Sequence, residues 1–339
     1  MMIGAARDRE HPDDANPAGH HPVITRAVRA RVLVSTSIAV DREDRVGAHI
    51  RARRPSALLL AAMMLLAGCG SSPPASRHDA PRLASYVALG DSYTAAPLVP
   101  RTNLDNGCLR STHNYPSLVA RDLDVADFAD RSCSGASTTD LTSAQRAGVP
   151  PQLDALNRRT DLVTVGIGGN DFHVFGTIVD GCTRDRAADP AGAPCRAQMR
   201  ASGSDRLLAV MPRITAAVTS ALAEIRRRAP QAKVVVVGYP QIVPRSAPPA
   251  GACPQLPLAR GDFSYAYGVN RALDAAVRAA ATATGSTWVD IWSASRGHDI
   301  CSPHPWINGS VTQPDRAAAY HPFGVEQRAV ARLVERAVS

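Results

Sequence analysis

Lysine is nearly missing from this chain. Lys233 is the single lysine in 339 residues, so the formal charge of +8 is carried by arginines scattered along the sequence. Nucleic-acid faces are basic stripes or patches, commonly with aromatics interleaved, and no such stripe occurs, so no nucleic-acid partner is expected. The arginine excess reads as a composition bias. CxxC pairs are also lacking, which removes the ordinary zinc and thioredoxin-like patterns. His298 and His304 flank Cys301 without the carboxylate or cysteine spacing of a metal site, and no metal is expected. No apolar run reaches the about 20 residues that a membrane-spanning helix needs. There is no internal repeat.

What is present begins with an export signal. Residues 1–45 are polar, with one short apolar patch around 32–40, and are not expected to be part of the fold. Arg51, Arg53 and Arg54 then precede the apolar run Ala57–Ala67, the n-region and h-region of a secretory signal. "LAGC" (66–69) resembles a bacterial lipobox, which would make Cys69 lipidated and the new N-terminus. Signals start close to their n-region, so residues 1–45 read as an over-extended gene model, with Val46 as the conventional start. Residues 1–68 are therefore taken as extension plus lipoprotein signal peptide, 69–83 as a Ser/Pro-rich tether, and 84–339 as the folded domain. Besides Cys69 there are six cysteines, an even number that suits disulfides in an exported chain. Spacing leaves the connectivity open. Nearest-neighbour pairing (Cys108–Cys133, Cys182–Cys195, Cys253–Cys301) is preferred because each pair would close an insertion between regular elements.

From residue 84 onward strands and helices alternate. Strands are expected at 85–91, 125–130, 161–168, 233–240 and 287–292. Several are continuous apolar runs, as when both faces of a parallel sheet are covered. Helices are expected at about 114–122, 204–229, 262–284 and 323–338. The order implies one α/β domain, doubly wound and flavodoxin-like, with about five parallel strands and helices on both faces.

Ligands of such sheets bind outside the carboxyl ends of the strands. Four segments fall there: "GDSYT" (90–94), "SCSGAS" (132–137), "GIGGNDF" (166–172) and "YHPFG" (320–324). Gly90 and Asp91 end a strand, and Ser92 looks like the N-cap of a following helix. Each piece alone has a plain structural reading as cap, turn or surface histidine. Together they offer a hydroxyl, a glycine turn, an asparagine and a base, the types that acyl transfer requires. The G-x-S-x-G elbow is absent, since Thr94 stands where its second glycine would be. Asp171 is expected to shape the turn beside Asn170. "GYPQIVP" (238–244) either lines an acyl pocket or is strand-to-loop punctuation, and loops near 95–115 and 240–260 are expected to set acyl-chain length.

These four blocks, in this order, resemble the SGNH hydrolases, the GDSL lipase/esterase family, over essentially the whole domain from about Leu83; the six cysteines are similar to those of its exported actinobacterial branch. The resemblance implies that Ser92 is the nucleophile and His321 the general base, with an oxyanion hole made by the Ser92 and Gly135 N–H groups and the Asn170 amide. It implies no cofactor. One position departs from the family pattern: the Asp commonly three residues before the histidine is here Ala318. Either a backbone carbonyl near Ala318 orients His321, which is preferred, or Asp315 folds back to do so. The expected protein is a monomeric serine esterase or lipase, lipid-anchored through Cys69 at the outer face of the membrane or released outside the cell. Carbohydrate acetyl esterase and phospholipase activities of the same fold are alternatives, as is a non-catalytic lipoprotein that binds lipid or glycan.

Overall fold

The computed structural model describes residues 83–339; the signal-like segment, Cys69 and nearly all of the tether lie outside the described residues. Five strands, β1 (Ser85–Gly90), β2 (Asp127–Asp130), β3 (Leu162–Gly166), β4 (Lys233–Val237) and β5 (Thr287–Val289), form one sheet in the order β2-β1-β3-β4-β5. Every neighbouring pair is parallel. This is the expected doubly wound order, and it explains the apolar runs. In β1, Val87 and Leu89 face one core while Tyr86 and Ala88 face the other, because successive side chains point to opposite sides.

The principal helices are α1 (Ser92–Ala95), α2 (Tyr115–Asp122), α3 (Met211–Arg228), α4 (Phe263–Ala283) and α5 (Gly324–Val338). Helices α3 and α4 cover the Val87/Leu89 face, burying Ile214, Val218, Leu222, Val269, Leu273 and Val277. On the opposite face lie α2 and α5, with Tyr115, Leu118, Val330 and Val334 against Tyr86.

One helix boundary differs from expectation. The apolar spacing predicts a helix from 204, yet α3 begins at Met211. Pro212 lacks the N–H that an interior position must supply, so it fits only a first turn. Upstream, Asp205 Oδ1 accepts from the N–H groups of Leu207 and Leu208 and closes a separate turn. Short helical turns at Val174–Gly176, Thr177–Gly181 and Cys182–Asp185, then Pro194–Arg200, fill the segment between β3 and α3 where no element is expected.

Disulfides join Cys108 to Cys133, Cys182 to Cys195 and Cys253 to Cys301, each pair consecutive in the chain. His298, within the loop of the third, stacks at 4.6 Å on Trp306 beyond Cys301, its Nδ1 2.7 Å from the His304 carbonyl oxygen. Among the described residues no helix is long and apolar enough to cross a membrane.

Candidate active site

The strand order reverses between β1 and β3, and ligands of open α/β sheets bind at such a point. Gly90 and Gly166 end these strands side by side, and the Asp91 N–H bonds the Gly166 carbonyl at 3.0 Å. The Gln152 side-chain amide pairs with both polar groups of the Gly90 backbone, at 2.8 and 2.9 Å. Beyond this clamp the chain turns into α1. The cap of that helix is Asp91, not Ser92: Asp91 Oδ1 accepts the Tyr93 N–H at 2.9 Å, and Ser92 is the first helical residue. Ser92 is thereby spared the capping bond. Asp91 is buried, and burial pushes its carboxyl up to about 7, against the opposing hydrogen bonds from Tyr239 and Tyr93.

The second block sits on a turn pinned from both sides. Cys133 N–H bonds the Gly90 carbonyl, and Ser134 N–H bonds the Cys108 carbonyl across the disulfide. Gly135 follows at φ +80°, a left-handed conformation that suits glycine, while a Cβ there would meet nothing nearer than 3.6 Å. Backbone freedom, not space, selects glycine here. Among the described residues, neither Gly135 N–H nor Ser92 N–H has a hydrogen-bond acceptor in the chain. Asn170 donates one amide hydrogen to the Ala136 carbonyl at 2.8 Å, which fixes its plane and leaves the second hydrogen unspent. Asp171 accepts from the hydroxyl and the N–H of Thr138, so it ties the Asn170 turn to the Gly135 turn.

His321 lies before α5 with its ring against both Tyr93 and Phe175, at 5.8 and 5.9 Å between centroids, and those two rings also touch each other at 5.6 Å. Its Nδ1 is 2.7 Å from the carbonyl oxygen of Ala319. A carbonyl only accepts, so this bond puts the proton on Nδ1 and leaves Nε2 of the neutral ring as the acceptor. Burial lowers the His321 pKa from its ordinary value, and the Ala319 bond acts in the other direction. The expected orienting group was a backbone carbonyl near Ala318, foremost the oxygen of Ala318 itself. That oxygen instead accepts the backbone N–H of His321 at 3.2 Å and Asn308 Nδ2 at 3.0 Å. Asp315 is exposed at a turn and makes no hydrogen bond to His321. The carbonyl is set in turn by the Tyr93 hydroxyl on Tyr320 O (2.8 Å) and by Thr312 Oγ1 on the Ala319 N–H (3.1 Å).

Ser92, Gly135, Asn170 and His321 line one cleft of about 570 Å³, which Leu109 and Phe175 also line. Its walls come partly from the expected 95–115 loop and partly from 173–180, which the sequence reading passed over. The 240–260 loop does not reach it. Residues 248–260 line a separate pocket of about 420 Å³ with Arg186 and Phe263, while Tyr239, Ile242 and Val243 are buried in the core. Sequence reasoning also missed Gln152 and Asn308, and it singled out 238–244 as a possible pocket wall without finding that Tyr239 reaches back 148 residues to Asp91.

A serine at the end of a strand on the cleft wall, a histidine whose Nδ1 is engaged by a carbonyl, and donors from Ser92, Gly135 and Asn170 lining the same cleft form a constellation suited to acyl transfer. The model of the GDSL-like lipase/acylhydrolase family matches residues 88–322, and the chain belongs to that family. Lipase 2 of Streptomyces coelicolor is 43% identical over 236 residues, covering 67% of this chain and 77% of that protein. A lipase of Streptomyces rimosus is 33% identical over 284 residues, covering 80% and 92%. Among solved structures, phospholipase A1 from Streptomyces albidoflavus superposes with a TM-score of 0.62 at 27% identity, over 75% of this chain and 99% of that one. The protein is a carboxylic ester hydrolase of the lipase/esterase type.

Proposed function

We propose that this chain is an exported, membrane-anchored serine esterase or lipase that works through an acyl-enzyme on Ser92. The observation that carries the reading is the cleft in which Ser92, Gly135, Asn170 and His321 meet, with His321 Nδ1 already engaged by a carbonyl. His321 Nε2 takes the Ser92 hydroxyl proton as Oγ bonds the ester carbonyl carbon. The oxyanion is held by the Ser92 and Gly135 N–H groups and by the Asn170 amide hydrogen. Collapse breaks the bond to the alcohol, which leaves with the proton from His321. Water then repeats the sequence on the acyl-enzyme and restores the serine. The three disulfides and the resemblance of residues 51–69 to a lipoprotein signal support export and an anchor at Cys69.

Acyl esters of lipids are the substrate class favoured, since the relatives named above are lipases and a phospholipase A1. The test is a p-nitrophenyl ester chain-length series run beside phospholipid vesicles and acetylated xylan, with wild type and Ser92→Ala. Ser92-dependent hydrolysis of the esters and lipid is expected. Turnover of acetylated xylan alone would redirect the substrate assignment, and equal turnover by Ser92→Ala would remove the mechanism.

A further inference from the structure

Tyr239 stands two residues past the end of β4, outside all four sequence blocks and outside the cleft lining. It is buried, and its hydroxyl has two partners. It donates to Asp91 Oδ2 and accepts the Gly169 N–H at 2.8 Å. Asp91 precedes Ser92 and caps its helix; Gly169 precedes Asn170. The hydroxyl is thus a single-atom bridge between the turn carrying the serine and the turn carrying the asparagine. Its own backbone is fixed by the Asp274 carboxylate, which accepts the Tyr239 N–H at 3.0 Å. The fit is close: a Cβ on Gly169 would sit 3.0 Å from the Tyr239 oxygen and 3.1 Å from Cζ, so glycine at 169 is the counterpart of tyrosine at 239. For packing alone, phenylalanine would bury the same ring without a hydroxyl to satisfy. The opposite side of the Gly169 residue is also held, its carbonyl accepting the Phe175 N–H at 3.0 Å.

We propose that Tyr239 is a positioning residue that locks the Ser92 turn to the Asn170 turn, so that serine and oxyanion donor keep one mutual geometry. The proposal rests on the reading of Ser92 as nucleophile and Asn170 as donor. Without the hydroxyl, the Asp91 carboxylate and the Gly169 N–H both lose a partner, and the two turns are free to shift relative to each other. The lost contact acts on the transition state more than on ester binding.

Four proteins test it: wild type, Tyr239→Phe, Asn170→Ala and the double variant, each assayed for kcat and KM on one p-nitrophenyl ester. Active sites are counted by stoichiometric organophosphonate labelling. Tyr239→Phe is expected to lower kcat about tenfold per active site, within the ~10² that an ångström of misplacement can cost, with KM little changed. In the double variant the loss should be clearly smaller than the product of the two single losses, because the residues act as one unit. Unchanged kcat in Tyr239→Phe with only a lower Tm overturns the proposal, as does a purely multiplicative double variant. Full activity of Asn170→Ala removes instead the oxyanion reading beneath it. If Tyr239→Phe does not fold, Gly169→Ala crowds the same hydroxyl, since its Cβ would sit 3.0 Å from the Tyr239 oxygen, and the same fall in kcat at little-changed KM is expected; wild-type kcat there also overturns the proposal.

Discussion

The Nδ1 of His321 lies 2.7 Å from the main-chain oxygen of Ala319, two residues earlier in the same turn. A backbone carbonyl cannot ionise, so it orients the imidazole and selects the tautomer without placing a formal charge beside the imidazolium. The catalytic pair is then a Ser–His dyad on this reading. Asp315→Asn is expected to leave kcat within about twofold, measured on a soluble ester. A loss of order 10⁴, the scale seen when an orienting aspartate is neutralised, would show that Asp315 reaches the ring in turnover.

Asn170→Ala removes the amide that Ala136 holds in place. Deleting one side-chain oxyanion donor costs about 10²–10³ in kcat, and that range is expected here, with KM moving far less. Comparable losses in KM would place Asn170 in ground-state binding instead.

His321 must be neutral to act as base, and burial lowers its pKa. The acid limb of kcat/KM is therefore expected below the ordinary value of 6.5, so that the free enzyme keeps its base at mildly acidic pH. A limb at or above that value contradicts the geometry. Stability runs the other way for the buried acids. Burial raises Asp91 and Asp274 to about 7 and Glu326 to about 8. For a carboxyl with a raised folded pKa, the stabilising contribution is complete below the unfolded value and is lost as pH rises through the folded one. Melting temperature should thus fall between about pH 4 and 8, and Glu326→Gln should flatten that fall. Identical pH profiles for Glu326→Gln and wild type would count against it.

The Cys108–Cys133 bridge holds the Gly135 turn, through Ser134 N–H on the Cys108 carbonyl. Replacing both cysteines by alanine should destabilise by roughly 2–4 kcal/mol and also lower kcat in the protein that remains folded. Replacing Cys253 and Cys301, whose loop does not reach the cleft, should affect stability alone. Equal effects on kcat would contradict the assignment of the cleft wall.

Much of this was legible in the residues themselves, and the exceptions share a cause. The strands could be read because a parallel strand covered on both faces must be apolar throughout, as Tyr86–Leu89 are. The four blocks could be read because each carries chemistry and local turn preferences together. Ser92 as cap was the wrong member of a neighbouring pair: Asp91 and Ser92 are both good caps, and only the fold decides which side chain reaches Tyr93 N–H. Ala318 for Ala319 is the same kind of error, since peptide orientation in a turn leaves no trace in alanine. The start of α3 was misplaced because Leu207 and Met211 keep helical spacing across a break that Pro212 imposes. Gln152, and the bridging role of Tyr239 within the 238–244 segment, were invisible because their partners are 62 and 148 residues away.

The central claim is that Ser92 carries the acyl group, and covalent labelling tests it most directly. Folded enzyme treated with a serine-directed organophosphonate should lose activity in step with one adduct, found by mass spectrometry on Ser92, and His321→Ala should slow the labelling. An adduct on any other residue, or full inactivation with Ser92 unmodified, contradicts the account.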